Sequence, residues 1–152
     1  MKKFLALLLA VALMASVALA DAVKLEGTAL SLTWDDAVEY ELEAEDIEDG
    51  IVAAFGNEDE TLFFTVYVEE FDGTLADIEA EYAEGVEGLT IASTGYTNIN
   101  GIDCFFSIES EDGENYIMYY VMDDANLVTI EIWYANDDAG ALSGSVMATL
   151  AR

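Results

Sequence analysis

Histidine is absent from all 152 residues, and so is proline. Without histidine, no Ser-His-Asp or Cys-His arrangement can form, and no cluster of His and Cys can hold zinc or copper. Without proline, slow prolyl isomerisation drops out of folding, and turns must rest on Gly, Asn and Asp. Cysteine occurs once, at Cys104, so no disulfide can form within one chain. Basic residues number 4 against 32 acidic ones. That shortage of cations excludes nucleic-acid binding through phosphate neutralisation, and equally excludes attraction to anionic lipid. The glycines show no phosphate-cradling pattern.

Hydrophobic residues make up 54% of the chain, enough for one core, and the length suits one domain rather than two. Part of that figure belongs to the N-terminus. Lys2 and Lys3 precede an apolar run, Phe4 through Met14, and Ala18-Leu19-Ala20 is a small-x-small cleavage site. This is the pattern of a secretory signal peptide cleaved after Ala20. The run falls short of the ~20 residues that span a bilayer, and no cationic stop follows it. The expected organisation is a leader, residues 1–20, then a single acidic α+β domain, residues 21–152. The mature chain is expected outside the cytoplasm, free of the membrane and monomeric. It keeps only Lys24 and Arg152 as cations, so 2 basic and 32 acidic residues leave it a net charge of −30. Self-repulsion of that size costs stability, more so at low salt. The charge repels acidic partners, and reads either as a solvated, aggregation-resistant surface or as a site for cations or a basic partner.

The stretch from Asn100 to Tyr134 reads as an antiparallel meander. Ile102–Glu109 alternates, with Cys104 on its apolar side, where a small buried residue is expected. Asn100-Gly101 and Asp112-Gly113 suit two-residue hairpins, whose central residues take positive φ. Asp123-Asp124-Ala125-Asn126 is a further turn. Leu127–Tyr134 places Val128, Ile130 and Ile132 on one side and Thr129, Glu131 and Trp133 on the other. Upstream, Thr28–Trp34, Val38–Leu42, Ile51–Phe55 and Thr61–Glu69 read as strands, after a short lead-in at Asp21–Gly27. Glu43–Asp49 is a loop or a single helical turn. Leu75, Ile78 and Tyr82 form a helical stripe over Thr74–Glu84, with Thr74 as the cap and Gly85 as the stop. Asn136-Asp137-Asp138 opens a last helix marked by Leu142, Val146 and Leu150. Gly140 and Gly144 weaken it by about 1 kcal/mol each relative to alanine. Arg152 suits its C-terminal end. The expected fold is α+β, an antiparallel sheet of about six to seven strands with helices packed on it. The Val128/Ile130/Ile132 and Leu62/Phe64/Val66 rows are expected to meet the helices.

This order, with a middle helix over Phe71–Glu84, Asn100-Gly101 opening a long meander and a short C-terminal helix, resembles the PsbP-like α/β/α sandwich. The resemblance covers roughly residues 28–151 and lies in pattern and turn placement. It implies a fold shared by many small exported bacterial proteins; a cystatin-like α+β sheet is the alternative. Photosynthetic members imply docking through basic residues, which this chain lacks, so that role does not carry over.

Carboxylates are the one abundant chemical group. A hydrolytic pair needs two acids across a cleft with pKa values pushed apart; 32 candidates leave the pair unselected. Hard cations such as Ca²⁺ take clustered oxygen ligands. Asp35-Asp36, Asn57-Glu58-Asp59-Glu60, Glu109-Ser110-Glu111-Asp112 and Asp123-Asp124 are the clusters, and none fits the EF-hand loop. The metal candidates are Asp35, Asp36, Asp123 and Asp124. On the second sheet face, Phe63, Tyr67, Phe105 and Trp133 mix with polar residues and form a candidate partner or ligand face. The alternative is a second, smaller core covered by the N-terminal strands or a loop. The functional expectation is an exported, non-catalytic binding or interaction domain for an unknown protein or small ligand. It needs no cofactor and has no nucleic-acid partner. Low-affinity calcium binding and a carboxylate-pair hydrolase are the alternatives. Intact mass of the exported protein is expected to begin at Asp21; a full-length product that pellets with membranes would contradict the leader.

Overall fold

The computed structural model describes residues 18–19, 22–86 and 88–152. The expected leader lies outside the described residues, apart from Ala18 and Leu19. The strands are β1 (Ala18–Leu19), β2 (Ala22–Lys24), β3 (Ser31–Thr33), β4 (Ala37–Glu39), β5 (Ile51–Gly56), β6 (Leu62–Glu70), β7 (Thr90–Ile99), β8 (Ile102–Glu111), β9 (Glu114–Asp123) and β10 (Asn126–Tyr134). The helices are α1 (Ala44–Glu48), α2 (Leu75–Glu84) and α3 (Asp137–Met147). Eight strands form one antiparallel sheet in the order β1-β4-β5-β6-β10-β9-β8-β7, while β2 and β3 pair as a separate hairpin.

Local chemistry explains the meander. Asn100 and Gly101 take φ of 51° and 88°, and Asp112 and Gly113 take 52° and 88°. Both pairs match the right-handed twist of the strands they join. The third turn differs, because among its residues only Asp124, at φ 54°, is left-handed. From β6 the chain does not turn back on itself. It crosses the sheet through α2 to the far edge and returns strand by strand until β10 pairs with β6 in nine-residue register, from Asn126↔Glu70 to Tyr134↔Leu62.

That register gives the sheet two unlike faces, because successive residues point to opposite sides. Leu62, Phe64 and Val66 of β6 lie on one face with Val128, Ile130 and Ile132 of β10, all fully buried. Covering them are Val146, Met147 and Leu150 from the α3 end of the chain, and Val23, Leu25, Leu30, Leu32 and Trp34 from the β2–β3 hairpin region. The other face carries a smaller cluster in which Ile78, Leu75 and Tyr82 of α2 meet Phe105, Leu127 and Tyr120.

The structure corrects three expectations. Only α3 lies on the Val128/Ile130/Ile132 face; α2 covers the opposite one, because its connection must pass over the sheet on the side that the hairpin leaves free. The lead-in is partly a strand, since Val23 alternates inward against Leu32 once β3 is there to pair with it. Arg152 does not cap α3. Its guanidinium bonds Asp123 Oδ1 at 2.8 Å and the Met122 carbonyl at 3.0 Å. Gly140 has a packing reason: a Cβ there would meet the Tyr134 ring at 3.1 Å.

The α2 start follows its sequence. Asp77 Oδ2 accepts from both the amide and the hydroxyl of Thr74, each at 2.7 Å, and this lowers the Asp77 pKa. Gly85 ends the helix at φ 90°. Ile130→Ala is expected to cost about 2–5 kcal/mol in urea unfolding, while Leu142→Ala on the exposed side of α3 stays within about 0.5 kcal/mol. Equal losses at the two positions would contradict this assignment of the core.

Candidate functional site

The four aromatic residues singled out from the sequence do share the α2 face of the sheet. Their surroundings differ. Phe105 is fully buried under Tyr82, Tyr96 and Tyr120, with ring centroids 5.5–6.0 Å away. Phe63 is stacked under Tyr40 at 4.8 Å and meets the edge of Trp133 at 6.5 Å. Tyr67 hydrogen-bonds Glu131. Trp133 Nε1 is buried without a hydrogen-bond partner among the described residues.

Beside these rings lies a hollow of about 330 Å³ that opens to solvent. Its walls hold Glu109, Glu111 and Glu131 from the sheet, Glu81 and Tyr82 from α2, Tyr116, Met118 and Tyr120 from β9, and Val86 and Leu89 beyond α2. The sheet register builds it. Met118 of β9 pairs with Ser107 on one side and Glu131 on the other, and Tyr116 pairs with Glu109 and Trp133. The floor is therefore a thioether and a phenol row with a carboxylate to each side. The roof is the last turn of α2, whose Tyr82 hydroxyl lies 2.6 Å from that of Tyr120.

Two carboxylates matter most. Glu109 is buried, and its Oε2 accepts from the Ser107 hydroxyl at 2.9 Å. Glu131 is partly buried. Burial pushes its carboxyl up to about 7, the nearby Glu109 charge adds to the rise, and the Tyr67 hydrogen bond opposes it. Burial also raises Tyr67, Tyr82, Tyr116 and Tyr120, which stay protonated phenols at neutral pH. The hollow thus presents neutral hydroxyls beside a carboxyl, Glu131, that holds a proton more readily than usual.

The sequence-selected aspartates have other surroundings. Asp123 is buried and accepts from the Ala29 amide at 2.8 Å as well as from Arg152. It ties the loop before β3, the end of β9 and residue 152 together. Asp35 and Asp36 are exposed in the turn between β3 and β4, and Asp124 is exposed in the last hairpin. In the Asn57–Glu60 cluster, Asn57 Oδ1 accepts from the amides of Thr61 and Leu62, so it serves the turn. Among the described residues, no group of three or more His, Cys, Asp or Glu is placed to hold a metal ion. Cys104 is fully buried on the α3 face, and burial, with the Asp103 charge, pushes its thiol up to about 11.

Of the residues that line the hollow, the sequence singled out Glu109 and Glu111 only as part of the Glu109-Ser110-Glu111-Asp112 cluster, and it did not join them to Glu131 and the tyrosines. A signal existed: Glu131 alternates with Ile130 and Ile132, and Glu109 follows Phe105 and Ser107 at spacing two, so both point to a covered face. The raised Glu131 carboxyl means that the folded state binds more protons than the unfolded chain between about pH 4.5 and 7, so this group lowers stability as pH rises through that window. Glu131→Gln is expected to leave stability unchanged below about pH 4.5 and to raise it by roughly 1–3 kcal/mol above about pH 7. Chemical denaturation at both ends of the range checks it; equal effects of the substitution at both ends would contradict the assignment.

No protein-family model matches this chain, and no curated protein matches its sequence. Solved structures do match in shape. The solution structure of cyanobacterial PsbP (CyanoP) from Synechocystis sp. PCC 6803 is similar with a TM-score of 0.63 and 10% identity, over 86% of this chain and 91% of that one. A crystal structure from Bacteroides thetaiotaomicron VPI-5482 is similar with a TM-score of 0.54 and 20% identity, over 80% of this chain. This chain spans 44% of that second protein's length. The fold is PsbP-like: an antiparallel sheet with helices on both faces.

Proposed function

We propose that this chain is an exported, non-catalytic binding domain whose ligand site is the hollow between α2 and the sheet. The observation that carries the reading is the hollow itself: about 330 Å³, walled by apolar and aromatic groups with a few convergent polar ones. Ligand sites have that composition, and this volume is at the small end of their range. Export follows from the leader pattern at residues 1–20 and suits a chain without disulfide partners only if its sheet is stable by packing alone, as two covered faces support. Among the described residues, no helix is long and apolar enough to cross a membrane.

One observation favours a second reading, a carboxylate-pair hydrolase. Glu109 and Glu131 face the same hollow, and Glu131 can hold a proton near neutral pH. Against it stands the crowding of Met118 between them. Calcium binding is the third reading; the carboxylates of the hollow supply oxygen, while the thioether and rings beside them do not suit a hard ion.

The test is NMR of the mature chain against a fragment set spanning neutral, anionic and cationic compounds. At least one class is expected to shift the amides of Tyr116, Met118, Tyr120 and Glu131 together. Shifts nowhere, or only in the acidic turns, would end the reading. Calcium chloride, compared with sodium chloride at matched ionic strength, is expected to leave the melting midpoint unchanged; a rise that saturates with calcium would favour the third reading instead.

A further inference from the structure

Among the described residues, no cationic side chain balances the carboxylates of the hollow. Buried Glu109 and partly buried Glu131 lie two strands apart, roughly 10 Å across the sheet, with Glu81 and Glu111 in the same walls. A buried carboxylate is costly unless it is paired, and buried charges normally have partners. Among the described residues the only cationic side chains are Lys24 and Arg152. Arg152 is ion-paired with Asp123. Lys24 is exposed on the β2–β3 hairpin, which covers the opposite face. Neither acts on Glu131. The partners the fold supplies are hydroxyls: Ser107 on Glu109 and Tyr67 on Glu131.

Resting on the binding reading above, we infer that the hollow is a receptor site for a small organic cation, an ammonium or guanidinium group on a short apolar body. The walls match both halves of such a ligand. The phenols Tyr82, Tyr116 and Tyr120 line it beside the carboxylates and suit a cation, and Met118, Val86 and Leu89 suit its apolar stem. A water's share of liquid volume is about 30 Å³, so the hollow holds a body of roughly ten non-hydrogen atoms. A bare metal ion would leave that space and those rings unused.

Binding also couples to a proton. The ionisable groups around Glu131 are Glu109 and Glu111 of β8, Tyr67 of β6, Tyr116 and Tyr120 of β9, and Glu81 and Tyr82 of α2; Asp46 and Asp49, near α1, act on Tyr67. All the carboxylates among them are negative when ionised, so a cationic guest stabilises ionised Glu131 and drives its proton into the buffer. Affinity therefore falls as pH drops below about 7, where Glu131 must be deprotonated before it can pair.

The experiment uses the mature chain, residues 21–152, with N-butylguanidinium as the cationic probe and N-butylurea as its neutral analogue of the same size. Both are titrated at about 0.15 M salt, where diffuse attraction to the acidic surface is screened beyond roughly 8 Å. N-butylguanidinium is expected to shift the amides of Tyr116, Met118, Tyr120 and Glu131 and to bind at least about tenfold more tightly than N-butylurea. Glu109→Gln and Glu131→Gln should each weaken N-butylguanidinium about tenfold and leave N-butylurea unchanged. Calorimetry near pH 6.5 in two buffers of different ionisation enthalpy should report proton release that Glu131→Gln abolishes. If N-butylurea fills the hollow as well as N-butylguanidinium and the variants make no difference, the cation class is wrong and the binding reading survives. If neither probe shifts those amides, both are wrong. If N-butylguanidinium shifts only acidic turns, and does so equally in Glu131→Gln, the proposal is overturned in favour of diffuse condensation.

Discussion

Everything described here depends on how β6 meets β10. These two strands come from halves of the chain separated by the α2 crossover and the whole meander, and they pair over nine residues without a slip. The alternation of side chains makes that pairing unforgiving. Ile130 and Ile132 belong to the dry α3 face only because Glu131 belongs to the other. A slip of β10 by one residue would put a carboxylate against Phe64 and Val66 and turn Val128 and the isoleucines toward the hollow. The core and the candidate site are thus specified by one register.

The two faces then take different work. The α3 face is apolar and closed by a hairpin as well as a helix, and it carries most of the fully buried side chains. The α2 face is mixed. Its dry part is small, centred on Phe105, Ile78 and Leu127. The remainder holds phenols and carboxylates around a hollow that the last turn of α2 roofs only in part. Stability concentrates on one side, which leaves the other free to hold groups that oppose folding, Glu131 among them.

Much of the fold was legible in the residues. Asn100-Gly101 and Asp112-Gly113 adopt the backbone their chemistry favours, and Thr74 with Asp77 opens α2 as its spacing implies. The strands of the meander fall within a few residues of their alternating runs. What was not legible was the side of the sheet on which α2 lies. Its Leu75/Ile78/Tyr82 stripe is apolar enough for either face, and the choice depends on where the β2–β3 hairpin packs. Of that hairpin only β3 was legible, within Thr28–Trp34, because the three residues of β2 leave almost no period to read. For the hollow the difficulty was selection. Glu109 and Glu131 are two acids among 32, and only their partners across the sheet, Tyr116 and Met118, separate them from acids on the outside. The four aromatics picked from alternation share the α2 face with the hollow, yet its walls are built by their neighbours.

The far edge of the sheet is the ten-residue β7, and it contains no charged residue at all. Sheet edges are ordinarily guarded by lysine, proline or a covering segment, since bare amides and carbonyls invite another strand. Here the guard is remote rather than local. With 32 acidic residues against 4 basic ones, copies of the chain repel one another before their edges can approach, a colloidal form of protection that fades as dissolved salt compresses its range. The acidity of the chain and the lack of charge on its last strand are in that sense one feature: long-range repulsion is strongest in dilute electrolyte, where β7 has no charge of its own to turn another strand away.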